Sequence, residues 1–318
     1  MITLAVGLML LPPLLLMVAL ARRERPLWQV ALDVPTAVAA DMLLRWLRAG
    51  LLTLEDAAGG AKGVEIVGAA AYVALRVRRG DRPTWPRALG AGPALCALAS
   101  AAALTFVSLA ISRPYQIWDR YWHISLVSTI RGQTLPFSNV YDPSGPLAYH
   151  YSGDALAAAL QSLSGLTLHS SHALSLVHDV MFGLSGATLG LLLWSWGARG
   201  VSLGVVGALV WALAGPPALL RDDDKQWVGY NFVNYVTLSF RPHVSVAGLY
   251  LIGFVAALIG RVREAEVGEQ RSAFAVTAAP LVVFVAALSV TDEASCAVLC
   301  AATGLAWSCW GPLLGPTR

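Results

Sequence analysis

The chain has 318 residues, 57% of them hydrophobic and only 13% charged, with a net charge of +3. Soluble domains carry about 25% charged residues, so this composition, with its apolar residues gathered in long blocks, excludes an ordinary soluble enzyme. The strands of an outer-membrane barrel would alternate apolar and polar residues, which these blocks do not, and a pI near 8.7 with basic residues scattered among short loops is no nucleic-acid footprint.

The composition therefore implies an all-α, polytopic membrane protein, a single transmembrane domain over residues 1–318. Arg outnumbers Lys by 20 to 2 and Ala and Gly are abundant, a composition that points to a GC-rich bacterial genome and, with the spans, to the plasma membrane of a bacterium. The four cysteines, Cys96, Cys296, Cys300 and Cys309, lie in apolar stretches without a CxxC pair and read as small buried hydrophobes.

The first apolar block, residues 2–20, is followed by Arg22-Arg23-Glu24-Arg25. A signal peptide has its positive charge before the apolar run, so this order predicts a retained span with an exterior N-terminus. Residues 27–54 follow, interrupted by Asp33, Asp41, Arg45 and Arg48. Asp41, Arg45 and Arg48 fall three and four apart and can pair on one face of a spanning helix; a helix lying in the interface is the alternative.

Residues 64–77 continue the pattern into the most basic loop, with Arg76, Arg78, Arg79, Arg82 and Arg87. Further apolar segments cover 89–111, 173–196, 201–220, 243–259, 272–290 and 294–310, for about nine spans in all. The short basic loops are expected in the cytoplasm, which places the two long hydrophilic connections, 112–172 and 221–242, on the exterior.

The first long loop holds the chemistry. Trp118, Trp122, Leu126 and Ile130 recur every fourth position, the mark of an amphipathic helix, and its aromatic residues suit the membrane–water boundary. Asp119 and His123 stand one turn apart on one face. Such a pair can act as a general base with its orienting partner, can hold a divalent ion such as Mg2+ or Mn2+, or can be a solvated helix face. A run of turns follows, and Tyr149, His150, Tyr151 and Asp154 crowd the start of a helix over 155–166. There Asp154 either caps the helix, with the tyrosines as headgroup anchors, or the group lines a polar pocket.

Asp119-x-x-x-His123, a Gly145-Pro146 step, and Tyr149-His150-Tyr151 leading into an Ala/Leu-rich helix together resemble the GT-C superfamily of integral-membrane glycosyltransferases, the bacterial protein O-mannosyltransferase-like branch most of all. The resemblance covers about 89–196 and extends to the rest only by topology. It implies a polyprenyl-phosphate-linked sugar donor, helices lying along the membrane surface, and a catalytic acidic residue in the first exterior loop, here Asp119. Many family members have two acidic residues in this loop; here Arg120 follows Asp119. The chain is also short for the family.

In the second long loop, Arg221-Asp222-Asp223-Asp224-Lys225 reads as a charged turn, because successive residues point in different directions. Arg241 and His243 stand at the mouth of the next span, where an arginine either meets a lipid phosphate or snorkels to the interface. No phosphate loop, GxSxG, HExxH or dinucleotide fingerprint occurs, and no internal repeat of the transporter kind is evident.

The expected function is transfer of a sugar from a polyprenyl-phosphate carrier to a glycan, lipid or protein acceptor on the exterior face, with no nucleic-acid partner. The resemblance and the residues together give Asp119 and His123 as the catalytic pair, with Tyr149, His150, Asp154, Arg241 and His243 in substrate binding. The alternatives are a secondary transporter or channel working through Asp33, Asp41, Arg45 and Asp179, and a non-catalytic membrane scaffold.

Overall fold

A computed structural model describes residues 2–115, 120–139, 142, 144–146, 152–213, 242–267 and 273–310. Among them are eleven helices: α1 (Ile2–Leu20), α2 (Leu27–Ala49), α3 (Leu54–Arg78), α4 (Ala91–Tyr115), α5 (Arg120–Ile130), α6 (Ser152–Leu163), α7 (Ser170–Ser195), α8 (Val201–Leu213), α9 (Pro242–Val267), α10 (Ala273–Thr291) and α11 (Glu293–Trp310). The described residues form no strand. Three helices are long and apolar enough to cross a membrane, over Leu27–Ala49, Ala91–Ala110 and Ser170–Ser195; the other apolar segments among the described residues are shorter.

The predicted segments and the helices agree closely. The main differences are that α3 begins ten residues before the apolar run at 64, α9 runs eight residues past the segment expected to end at 259, and α6 runs from Ser152 rather than from 155. Thr53 explains the first: its side-chain oxygen accepts from the Asp56 amide at 3.3 Å, a cap that starts the helix inside polar sequence.

Two packing centres organise the bundle. In the first, α4 lies against α7 and α8. The contact is a line of small residues: a Cβ on Gly190 of α7 would stand 2.9 Å from the Cys96 carbonyl oxygen of α4, and one on Gly186 would collide with the Ser100 carbonyl. Glycines four apart let two helix backbones touch, a means of association that works in lipid, where apolar side chains gain nothing by leaving the solvent.

In the second centre α2 is surrounded by α1, α3, α7, α9 and α10. Its residues Val30, Ala31, Val38, Ala39 and Met42 are all buried. Gly253 of α9 sits where a Cβ would meet Pro35 of α2 at 2.9 Å, with Phe284 of α10 pressed against the same spot.

Backbone hydrogen bonds define two ends. At one, the α1–α2 and α3–α4 connections join: the Arg87 amide donates to Arg23 O at 3.0 Å, and Arg76 Nη1 donates to Ala19 O and Ala21 O at 2.8 and 2.9 Å. At the other, the segment after α5 is stitched to the α2–α3 turn, by the Leu54 amide to Gln133 O at 2.9 Å, the Glu55 amide to Arg131 O at 3.1 Å and the Leu135 amide to Ala49 O at 2.7 Å. The basic connections thus share one end, and the first long loop shares the other with the α2–α3 turn.

Candidate functional site

Helices α5 and α6 belong to the second end and pack into the bundle. Every residue of α6 from Ser152 to Gln161 is buried, between α3, α5, α7 and α9. The Ala-rich sequence of α6 explains this, since small side chains let a short helix be enclosed on all sides. On α5, Leu126, Val127 and Ile130 are fully buried, while Trp122 on the same helix is 37% exposed.

The structure gives His123 a partner that spacing did not suggest. His123 lies against Asp154 of α6, with Nδ1 at 2.8 and 3.0 Å from the two carboxylate oxygens and both residues only 1% exposed. Thirty-one positions of sequence separate them, so no local pattern announces the pair. With the carboxylate on Nδ1–H, the basic lone pair of a neutral imidazole is on Nε2, and any base or ligand role of His123 runs through that nitrogen. Asp154 is not confined to a helix-start role; it joins α6 to α5.

Around the pair the loop helices are fixed by side chains. Ser128 and Ser170 hydroxyls meet at 2.9 Å, and Gln161 Nε2 donates to Leu168 O at 2.8 Å. Asp142, in the turn region, accepts from Ser144 Oγ and from the Ser144 amide, and these bonds hold its carboxyl below the usual range. His169 caps α7 through Nδ1, which accepts from the Ser171 amide at 3.4 Å.

Asp119, Tyr149, His150 and Arg241 lie outside the described residues, as does the acidic run 222–224. His243 is the second residue of α9. Among the described residues no group of three or more His, Cys, Asp or Glu converges as a metal site. Of the residues expected to form the site, the structure brings together His123 and Asp154.

A second polar cluster sits deeper along α2 and α3. Asp41 accepts from Arg45 Nε at 3.1 Å, Arg45 Nη2 at 2.7 Å and Lys62 Nζ at 3.0 Å, and Lys62 also donates to Glu65 at 3.2 Å. These four side chains are 6–10% exposed. The Asp41–Arg45 pairing is the expected one; Lys62 and Glu65 were missed because they lie on the polar start of α3. Tyr250 of α9 is fully buried. Its hydroxyl has no hydrogen-bond partner among the described residues. Asp41 and Arg45 also line a small cavity of about 10 Å3, walled by Leu156, Leu160, Leu163 and Met181, with room for about one water.

Arg48, which the spacing grouped with Asp41 and Arg45, is not bonded to that cluster, and its Nε has no hydrogen-bond partner among the described residues. Asp33 receives Arg25 Nη1 at 2.6 Å from just outside α2, and Asp179 on α7 accepts from Ser108 Oγ of α4 at 2.7 Å. His178 packs its ring 5.0 Å from that of Phe182. Cys96 is buried and free, as expected; Cys296 is partly buried and Cys300 exposed, both without a disulfide.

No protein-family model matches this chain, and neither a curated protein nor a solved structure does.

Proposed function

We propose that the chain is an integral-membrane glycosyltransferase of GT-C type, moving a sugar from a polyprenyl-phosphate carrier to an acceptor on the exterior face of a bacterial plasma membrane. The observation that carries this reading is the buried His123–Asp154 pair, which fixes two loop helices against the bundle at the end holding the first long connection. Preorganised polar groups on rigid elements beside an apolar bundle suit a donor that is half lipid and half sugar phosphate.

In this reading the bundle has about nine spans with the first long loop outside. Asp119, four positions before His123 in sequence, is the general base that deprotonates the acceptor hydroxyl. His123, held through Nδ1 by Asp154, orients that base or helps hold a divalent cation through Nε2. Tyr149 and His150 shape the sugar pocket. Arg241, just before α9 in sequence, and His243 offset charge on the departing carrier phosphate.

The test is transfer of radiolabelled sugar from a polyprenyl-phosphate donor in proteoliposomes. Asp119→Asn keeps size and hydrogen bonding but removes the base, and is expected to lower the rate by about two to four orders of magnitude. An Asp119→Asn protein that elutes as the parent does and transfers sugar at the parental rate overturns the assignment.

One observation favours a second reading, a transporter or channel: the Asp41–Arg45–Lys62–Glu65 cluster beside a cavity, since ionisable groups at such depth often mark a solute or proton path. That reading requires a solute flux that Asp41→Asn abolishes, with no sugar transfer by the parental protein.

A further inference from the structure

The end of the bundle opposite α5 and α6 gathers positive charge from two places in the sequence. The α1–α2 and α3–α4 connections, with the last turn of α3, hold eight arginines and two carboxylates, Glu24 and Asp81. The carboxylates are already engaged. Arg22 and Arg76 share Asp81 at 3.2 and 2.7 Å, and Glu24 stands 3.9 Å from Arg87. Arg25 turns inward to Asp33 at 2.5 Å. That leaves Arg23, Arg78, Arg79 and Arg82, all exposed, with no carboxylate within ion-pair distance among the described residues.

The fold brings these four to one end of the bundle. The Arg87 amide bonds to Arg23 O and the Thr84 amide to Ala21 O, so the second connection lies along the first. The same end has an aromatic residue turned outward: Trp85 is 60% exposed, between Pro83 and Pro86, with its indole N–H donating to Leu89 O at 3.3 Å. Exposed apolar side chains begin within one turn of the arginines, Leu75 at 45% and Val77 at 47%. A partner at this end therefore meets both guanidinium groups and aliphatic surface. A nucleic acid or an acidic protein segment satisfies the first and not the second, whereas a phospholipid headgroup with its acyl chains satisfies both.

We propose that this end binds anionic phospholipid headgroups. Arg23, Arg78, Arg79 and Arg82 meet the phosphodiester oxygens, to which the guanidinium fork is matched, and Trp85 sits at the boundary between headgroups and chains. The proposal is independent of the enzymatic reading, because it uses the opposite end of the bundle.

The full-length chain, reconstituted in phosphatidylcholine vesicles, is probed with small amounts of spin-labelled phosphatidylglycerol or spin-labelled phosphatidylcholine, and the protein-bound fraction of each label is compared. Phosphatidylglycerol is expected to be enriched severalfold, the preference falling with each arginine removed, and replacing all four by Gln brings the two lipids to parity. Replacing the same four by Lys keeps the charge and keeps the enrichment, and Arg131→Gln, at the other end, changes nothing. About 1 M salt, where the screening length is ~3 Å, removes the preference from the parental chain. Equal binding of the two lipids by the parental chain overturns the proposal, as does an enrichment that survives the Gln substitutions. If the Gln protein does not fold, the salt arm decides alone: an enrichment undiminished at high salt overturns it.

Discussion

Replacing Asp41 by Ala perturbs the most heavily bonded carboxylate in the interior. Asp41 accepts three hydrogen bonds, two from Arg45 at 3.1 and 2.7 Å and one from Lys62 at 3.0 Å. Lys62 keeps Glu65 at 3.2 Å after the substitution, so the uncompensated charge is that of Arg45, 7% exposed. Removing one partner of a buried ion pair costs about 3–5 kcal/mol, because the other charge stays desolvated without its counterion. Asp41→Asn keeps one acceptor oxygen and is expected to lose less, about 1.5–3 kcal/mol for the charge-assisted bonds. Deleting both partners, in Asp41→Leu with Arg45→Met, removes the orphaned charge and should recover most of the loss, since apolar replacements of buried pairs are often neutral. The assay is thermal unfolding of the purified protein in one detergent at one scan rate, which matters because membrane proteins commonly unfold irreversibly. The Ala protein should melt on the order of 10 °C below the parent and the double variant between them. An Ala protein with the parental midpoint refutes the reasoning. It would mean that water reaches Arg45, as a solute pathway requires, and would strengthen the transport reading.

Three further outcomes test other parts of the structure. Asp154→Ala leaves His123 buried without its carboxylate and is expected to destabilise by about 1–3 kcal/mol, measured by the same melting curves, with His123→Ala no worse in combination because the two act as one unit. Gly190→Leu places a branched side chain where even a Cβ would stand 2.9 Å from the Cys96 carbonyl; α4 and α7 must separate, at a cost of about 1–3 kcal/mol or more, read as a lower midpoint, whereas Gly63→Ala, in open space, should leave it unchanged. Single cysteines at Gly80 and Ser144 should label from opposite faces of sealed membrane vesicles, since Gly80 follows the end of α3 that joins the basic connections and Ser144 belongs to the first long loop; labelling from the same face contradicts the two-ended arrangement.

The helices were legible in the sequence because a lipid-exposed backbone must satisfy its own hydrogen bonds, and a long apolar block has no other means of doing so. That constraint acts locally, so α1, α7, α10 and α11 begin and end within a few residues of where the apolar runs do. The pairing of Asp41 with Arg45 was legible for a similar reason, since a spacing of four fixes a shared helix face. What spacing does not contain is contact between helices. No local pattern joins His123 to Asp154, thirty-one positions on, and Lys62 completes the Asp41 cluster from the next helix. Gly186 and Gly190 carried a readable signal, small residues four apart, but only the packed structure names α4 as the helix they admit. The same is true of the arginines: the sequence supplied two basic stretches more than fifty residues apart, and the hydrogen bonds between their connections brought them to one end of the bundle. Local chemistry, set by the bilayer and the helix period, determined which segments fold and how. The tertiary structure decided which polar groups meet, because a buried charge takes its partner from whichever helix the packing of the small and apolar residues brings alongside.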